Sequence, residues 1–228
     1  MEKPVETIYT AINGSRNILE FAKNKRLEGM VYLSSLEIYG VNEKENIKEE
    51  DYGYIDILNP RSSYSESKKM VETMCISYGT EYGVPVKIAR LAQTFGAGVS
   101  ISDNRVFAQF AKAIINKENI VLHTKGETKR NYCYTTDTVR GIFTILTKGE
   151  NNNAYNVANE NSYCSISEMA HLLENEYTKV EYKIDEVNRG YNPTVKIALN
   201  TEKLNALGWE AKVNLKEMFD RLIMNFGK

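Results

Sequence analysis

The feature that most constrains this chain is the apolar run Met30-Val31-Tyr32-Leu33, which follows Gly29 and ends in Ser34-Ser35. A short apolar run between turn signals reads as a strand buried on both faces, and such strands belong to parallel sheets covered by helices. The flanking segments agree. Upstream, Pro4 suits a helical first turn, and Val5, Ile8, Ile12, Ile18, Leu19 and Ala22 form an apolar stripe at helical spacing through about Lys25. Downstream, Val41 to Pro60 is charged and turn-rich without steady periodicity, which predicts an irregular loop, and a second helix is expected from about Ser62 to Tyr82. Gly83 and Pro85 punctuate that helix before Val86 to Leu91, a second strand, and Phe95-Gly96-Ala97-Gly98 then makes a tight turn. Helix, strand, helix, strand is the order of a wound parallel α/β sheet.

The alternation continues. Asp103 is placed to cap a helix running to about Asn116, strands are expected at Ile120 to Leu122 and Tyr132 to Tyr134, and Thr136 and Asp137 are placed to cap a helix through Leu146. Tyr155 to Ala158 reads as a strand, Ser165 as the cap of a helix to about Tyr177, and Val180 to Ile184 as a half-exposed strand. Thr201 to Leu207 and Leu215 to Phe226 are helical on pattern.

Twenty-nine basic residues against thirty acidic ones leave a formal charge of -1, so the chain carries no electrostatic footprint for nucleic acid or an anionic membrane. No apolar run approaches the roughly 20 residues a spanning helix needs, and Met1 leads into charged residues rather than a signal-peptide core, so a cytoplasmic location is expected. Cys75, Cys133 and Cys164 are odd in number and far apart, and His123 and His171 lack ligand-spaced partners. Buried small residues, no disulfides and no metal site follow.

Tyr64 and Lys68 stand one helical turn apart, which puts a phenol and an ammonium on one face. A nearby cation favours the phenolate, bringing a group that titrates near about 10 toward the range in which it can accept a proton. With 15 tyrosines in 228 residues, chance alone supplies about one such spacing, so the pair needs context. Ser34 and Ser35 supply it, because polar groups at the carboxyl end of a parallel strand lie where open α/β sheets build their sites.

YLSSLEIYG followed by YSESKKMVE resembles the paired active-site motifs of extended short-chain dehydrogenases that act on nucleotide sugars, the NAD-dependent epimerases and dehydratases. Other segments agree in order: Ala11-Ile12-Asn13-Gly14-Ser15 resembles the family's asparagine-bearing helix, ARLAQTFG its RxxNxYG turn, RNYCYTTD its RxxxYVxD segment, and LNTEKLNALGW its terminal helix. The resemblance implies an α/β fold, with a partial Rossmann-like parallel sheet and flanking helices in residues 1–95 and 131–160. It also implies a smaller α/β lobe for the nucleotide sugar in 96–130 and 161–228.

Carried over residue by residue, the resemblance implies Tyr64 as base toward the sugar 4-hydroxyl, Lys68 as its electrostatic partner, and Ser35 bonding the same oxygen. NAD would accept the hydride from C4, with Tyr64, Lys68, Ser34 and Arg90 as its contacts. Gln93, Arg105, Arg130 and Glu37 would hold the nucleotide-diphosphate sugar, Arg130 through phosphate. Asn13 is expected to bond backbone near the site, and Trp209, Tyr132, Tyr134 and Tyr155 to form core or pocket wall. Glu37 matches members that dehydrate or decarboxylate, whereas Leu36 stands where the dehydratases carry a proton-donating aspartate, so epimerisation or decarboxylation stays open. Gln93 replaces the family's usual asparagine. A homodimer through helices 4–25 and 62–82 is a further expectation.

A dinucleotide site in such a fold needs a glycine-rich turn after its first strand, and Gly96-Ala97-Gly98 comes late and lacks the third glycine. The resemblance therefore makes this chain the carboxyl-terminal two-thirds of the family fold. The alternative function is an inactive homologue that binds a nucleotide sugar or dimerises.

Overall fold

The computed structural model describes residues 3–42, 44–174, 176–184 and 194–227. In chain order its elements begin with α1 (Pro4–Lys25), β1 (Met30–Ser35), α2 (Ser63–Tyr82), β2 (Val86–Leu91), β3 (Gln93–Phe95), α3 (Val106–Ile115), β4 (Ile120–Leu122) and β5 (Lys129–Tyr134). They continue with α4 (Thr135–Lys148), β6 (Ala154–Val157), β7 (Asn159–Ser165), α5 (Ile166–Glu174), β8 (Val180–Tyr182), β9 (Lys196–Ile197), α6 (Glu202–Asn205) and α7 (Leu215–Phe226).

Strands β1, β2 and β6 form a parallel sheet in that order, with Ser34 paired to Arg90 and Arg90 to Asn156 across it. Alternation along β2 explains why helices cover both faces: Val86 and Ile88 pack with Leu19, Ala22, Val71 and Cys75 of α1 and α2, while Ala89 packs with Ile145 of α4, Leu204 and Trp209. The expected α/β fold is present, and its first two strands and helices fall where the apolar pattern put them.

A second sheet was not legible in the pattern. After one intervening alanine the chain leaves β2 as β3 and leaves β6 as β7, so each strand passes from one sheet to the next through buried Ala92 or Ala158. There β3 and β9 run parallel to β5, and β7 runs antiparallel to it. The lobe beyond this sheet has its own core, in which Phe95 stacks on Phe107 at 4.4 Å between ring centroids and Met218, Phe219 and Leu222 of α7 close the far side. Of the segment assigned to the lobe, 185–193 lies outside the described residues.

Two expected caps differ. Asp103 bonds the Arg105 backbone N–H at 2.8 Å but stands ahead of a helix that begins at Val106. Asp137 is no cap; it sits inside the first turn of α4, buried, with its carboxylate turned to the segment around 212. Ser165, in contrast, does cap α5: its hydroxyl accepts the Glu168 N–H at 3.0 Å while Glu168 accepts the Ser165 N–H at 2.7 Å. That reciprocal box holds the Glu168 carboxyl below the usual carboxylate range, chiefly through the Ser165 backbone bond. Ser165→Ala is expected to cost about 1 kcal/mol in urea unfolding, and a loss under about 0.3 kcal/mol would show that the box does not hold in solution.

Among the described residues no helix is long and apolar enough to cross a membrane. Burial pushes the thiols of Cys75, Cys133 and Cys164 up to about 12.

Candidate active site at the end of the first strand

The backbone leaves β1 through a single 3₁₀ turn, Leu36–Tyr39. Ser35 caps it by accepting the Glu37 N–H at 3.2 Å, an arrangement that leaves the hydroxyl proton free to donate elsewhere. Gly40 closes the turn at φ +60, where a Cβ would lie 2.3 Å from the Tyr54 carbonyl oxygen, so only glycine fits. Leu36, Ile38 and Tyr39 are buried beneath the turn and Glu37 points away from them.

Helix α2 brings the second motif alongside. Asn59 accepts the Arg61 N–H ahead of the short turn Pro60–Ser62, and α2 then starts at Ser63. The phenol side chain of Tyr64 is 37% exposed, whereas Lys68, one turn further, is half-buried and donates from Nζ to the Leu33 carbonyl at 2.8 Å. The same Nζ lies 4.9 Å from the Tyr32 ring centroid and 5.8 Å from that of Tyr64. Burial draws the Lys68 pKa down, and the nearby Glu72 carboxylate opposes that. The ammonium therefore stands at the carboxyl end of β1, bonded to the residue that precedes Ser34, and 5.8 Å from the Tyr64 ring centroid.

Glu37 meets Arg130 of β5, Oε1 to Nη1 at 2.5 Å, and so joins the strand-end turn to the second sheet. The Arg130 Nε is buried without a partner. Arg130 also lines a cleft of about 590 Å³, together with Gln93, Arg105, Phe107, His123 and Tyr132. Arg105 there is paired to Asp103 at 2.6 Å and lies over the Phe107 ring at 4.6 Å, and it holds the Asp103 carboxyl below its usual range. The cleft is walled by aromatic side chains and by Arg105, Lys125, Glu127 and Arg130, with Arg105 and Arg130 held in place by Asp103 and Glu37.

Two of the expected positions need revision, and one residue is added to them. Arg90, expected as a cofactor contact, is 2% exposed, and all five of its N–H groups are engaged by Glu72, Tyr39, Tyr52 and the Glu49 carbonyl, so it has none to offer a ligand. Asn13 is exposed on α1 instead of bonding backbone near the site. Sequence reasoning passed over Glu72, although it continues the 64, 68 face by one more turn. Trp209, Tyr132, Tyr134 and Tyr155 are buried as expected, with the Trp209 Nε1–H donating to the Asp137 carbonyl at 3.0 Å.

A strand-end hydroxyl and a helix-borne Tyr-Lys pair, with a cleft adjoining them, mark an α/β protein whose site lies at the carboxyl end of a parallel strand. The chain belongs to the NAD dependent epimerase/dehydratase family, whose model matches residues 1–158. Among curated relatives, UDP-glucuronic acid decarboxylase 1 of Xenopus tropicalis is 30% identical over 234 residues, covering 100% of this chain and 53% of the relative. UDP-glucuronic acid decarboxylase 5 of Arabidopsis thaliana is 29% identical over 215 residues, covering 94% of this chain and 62% of the relative. The chain thus spans between about half and three-fifths of their length. The fold matches UDP-glucose 4-epimerase of Thermotoga maritima with a TM-score of 0.84 at 24% identity, over 98% of this chain and 71% of that one. It matches an NAD complex of dTDP-glucose 4,6-dehydratase from Bacillus anthracis with a TM-score of 0.81 at 21% identity, over 96% and 68% of the two chains.

Proposed function

We propose that this chain carries the catalytic and sugar-binding portion of an NAD-dependent enzyme that oxidises a nucleotide sugar at C4, and that its outcome is decarboxylation of a sugar 6-carboxylate. The observation that carries the reading is the Lys68 Nζ bonded to the Leu33 carbonyl at 2.8 Å, which fixes the Tyr-Lys face against the strand end bearing Ser35. The donor set fits the nicotinamide end of NAD: Lys68 spends one of its three N–H groups on Leu33, and the buried Ser34 Oγ has no partner. When bound, NAD+ supplies the hydride acceptor.

Tyr64 takes the proton of the 4-hydroxyl, Lys68 stands beside it as the cationic neighbour at 5.8 Å from its ring centroid, and Ser35 donates to the same oxygen. A ketone at C4 stands β to a carboxylate at C6, the arrangement from which CO₂ departs most readily. Leu36 has no proton to give a leaving hydroxyl, which weighs against elimination. The UDP-glucuronic acid decarboxylase relatives support the same substrate class. Arg130 and Arg105 hold the diphosphate in the cleft, and Glu37 sets the Arg130 guanidinium through their ion pair. Incubation with NAD+ and UDP-glucuronate, in a form that also carries a glycine-rich turn, is expected to release CO₂ and yield a UDP-pentose by NMR. Quantitative recovery of UDP-glucuronate, or conversion only of UDP-glucose, would refute the assignment.

The second reading is a module that binds nucleotide sugar without turning it over. It is favoured by the cleft of about 590 Å³, whose lining includes Gln93 and Arg130 but neither Tyr64 nor Lys68. Calorimetry separates the two: UDP-glucuronate binding without NAD+ binding supports the module, and micromolar NAD+ binding by this chain alone argues against it.

Dimerisation through α1 and α2 belongs to the same proposal. Val5, Tyr9, Ile18 and Phe21 of α1 are each more than half exposed, an apolar surface that a helix pair would cover. Light scattering is expected to give a dimer that Tyr9→Glu with Phe21→Glu converts to monomer; a wild-type monomer at tens of micromolar removes this element.

A further inference from the structure

Arg90 sits in the middle strand of the first sheet, level with Ser34 on one side and Asn156 on the other. Its fork reaches in two directions. Toward α2, Nε and Nη2 grip the Glu72 carboxylate, with Nη2 to Oε2 at 2.7 Å. Toward the strand-end turn, Nη1 donates to the Tyr39 hydroxyl at 3.0 Å and to the Glu49 carbonyl at 2.5 Å, while Nη2 also reaches the Tyr52 hydroxyl at 2.9 Å. Tyr39 passes the connection on, donating to Asn156 Oδ1 at 2.6 Å, and the Asn156 N–H donates to Glu49 at 2.7 Å.

Tyr39 ends the same turn that Ser35 begins, and Glu72 lies on the same face of α2 as Tyr64 and Lys68, at intervals of four. We propose that Arg90 is a positioning residue of the candidate site: one buried guanidinium clamps the turn carrying Ser35 and Glu37 to the helix face carrying Tyr64 and Lys68, and fixes how far apart the two motifs stand. The inference rests on the reading of those residues as the site. A lysine in place of Arg90 keeps the charge for Glu72 but has no planar fork to span both directions. Glu72, held by the clamp, is also the carboxylate that faces Lys68, whose ammonium lies by the Tyr32 and Tyr64 rings.

Two variants test this without cofactor or substrate, so failure here is separable from failure of the proposed reaction. In Arg90→Lys, amide hydrogen exchange in the 36–40 turn is expected to quicken by about tenfold or more, while amides of α4, on the opposite face of the sheet, stay within roughly twofold of wild type. Uniform acceleration everywhere would mean a general stability role, and no acceleration in the turn would mean no clamp; either overturns the proposal. The Arg90→Met, Glu72→Leu pair replaces the ions with apolar groups of similar size and keeps the fold testable where a single substitution unfolds it. In the folded pair, amide exchange in the 36–40 turn is expected to quicken as in Arg90→Lys while α4 stays near wild type. Turn amides exchanging at the wild-type rate in the folded pair would show that the guanidinium does not hold the turn and would also sink the idea.

Discussion

Tyr64→Phe is expected to lower kcat by about 10²- to 10⁴-fold, in a form of the enzyme that loads NAD+, with little change in KM. The substitution removes one oxygen from a ring that is 37% exposed, so folding loses almost nothing and the loss is read as chemistry. Lys68 remains against the Leu33 carbonyl, but on the proposed reading the 4-hydroxyl proton then has no phenol to accept it. Ser35 does not replace it, since its hydroxyl already accepts the Glu37 N–H and, as a neutral alcohol, is a far weaker base. Stopped-flow absorbance of the reduced cofactor separates the steps: the variant is expected to bind substrate and form no NADH on the wild-type timescale. Wild-type NADH formation in Tyr64→Phe would place the base elsewhere.

What could be read from the sequence was governed by which interactions are local. The helices at 4 and 63 and the strands at 30 and 86 carry their own apolar pattern, so their positions, and hence the placement of Ser35 at a strand end and of Tyr64 and Lys68 on one helix face, were legible. The second sheet was not, because β3 has three residues, β9 has two, and β7 carries Asn159, Glu160, Asn161 and Ser162 in place of an apolar alternation. Its strands exist because β5 supplies partners for their backbone groups, a tertiary fact. Arg90 shows the same limit at the scale of one residue. An arginine at the end of an apolar strand reads as a ligand contact until its fork is seen to be filled by Glu72, Tyr39, Glu49 and Tyr52, which come from two other segments of the chain. The Glu37–Arg130 pair, 93 residues apart, was visible as two separate expectations and not as one contact.

Asp137→Ala is expected to destabilise the fold by about 3 kcal/mol. The residue is 1% exposed, and its Oδ2 accepts two consecutive backbone N–H groups, those of Lys212 and Val213, each at 2.9 Å. Oδ1 takes the Arg140 guanidinium at 2.6 Å, so the charge is compensated in place. Alanine leaves the buried Val213 N–H without an acceptor and frees the strap from Trp209 to Val213, which runs between α4 and the lobe closed by α7. The Trp209 indole stays bonded to the residue 137 carbonyl, a main-chain atom that the substitution does not remove, so the loss is confined to the carboxylate. For a chain of 228 residues this corresponds to a fall in Tm of about 6 to 12 °C. Arg140→Ala is the control: its side chain is 42% exposed, its pairing is screened by water, and the expected loss is below about 1 kcal/mol. Equal losses in the two variants would mean that the ion pair, and not the two backbone bonds, is what Asp137 contributes. A near-wild-type melt for Asp137→Ala would mean that the strap is held by Trp209 packing alone, and that the lobe is attached to the sheet through its apolar contacts.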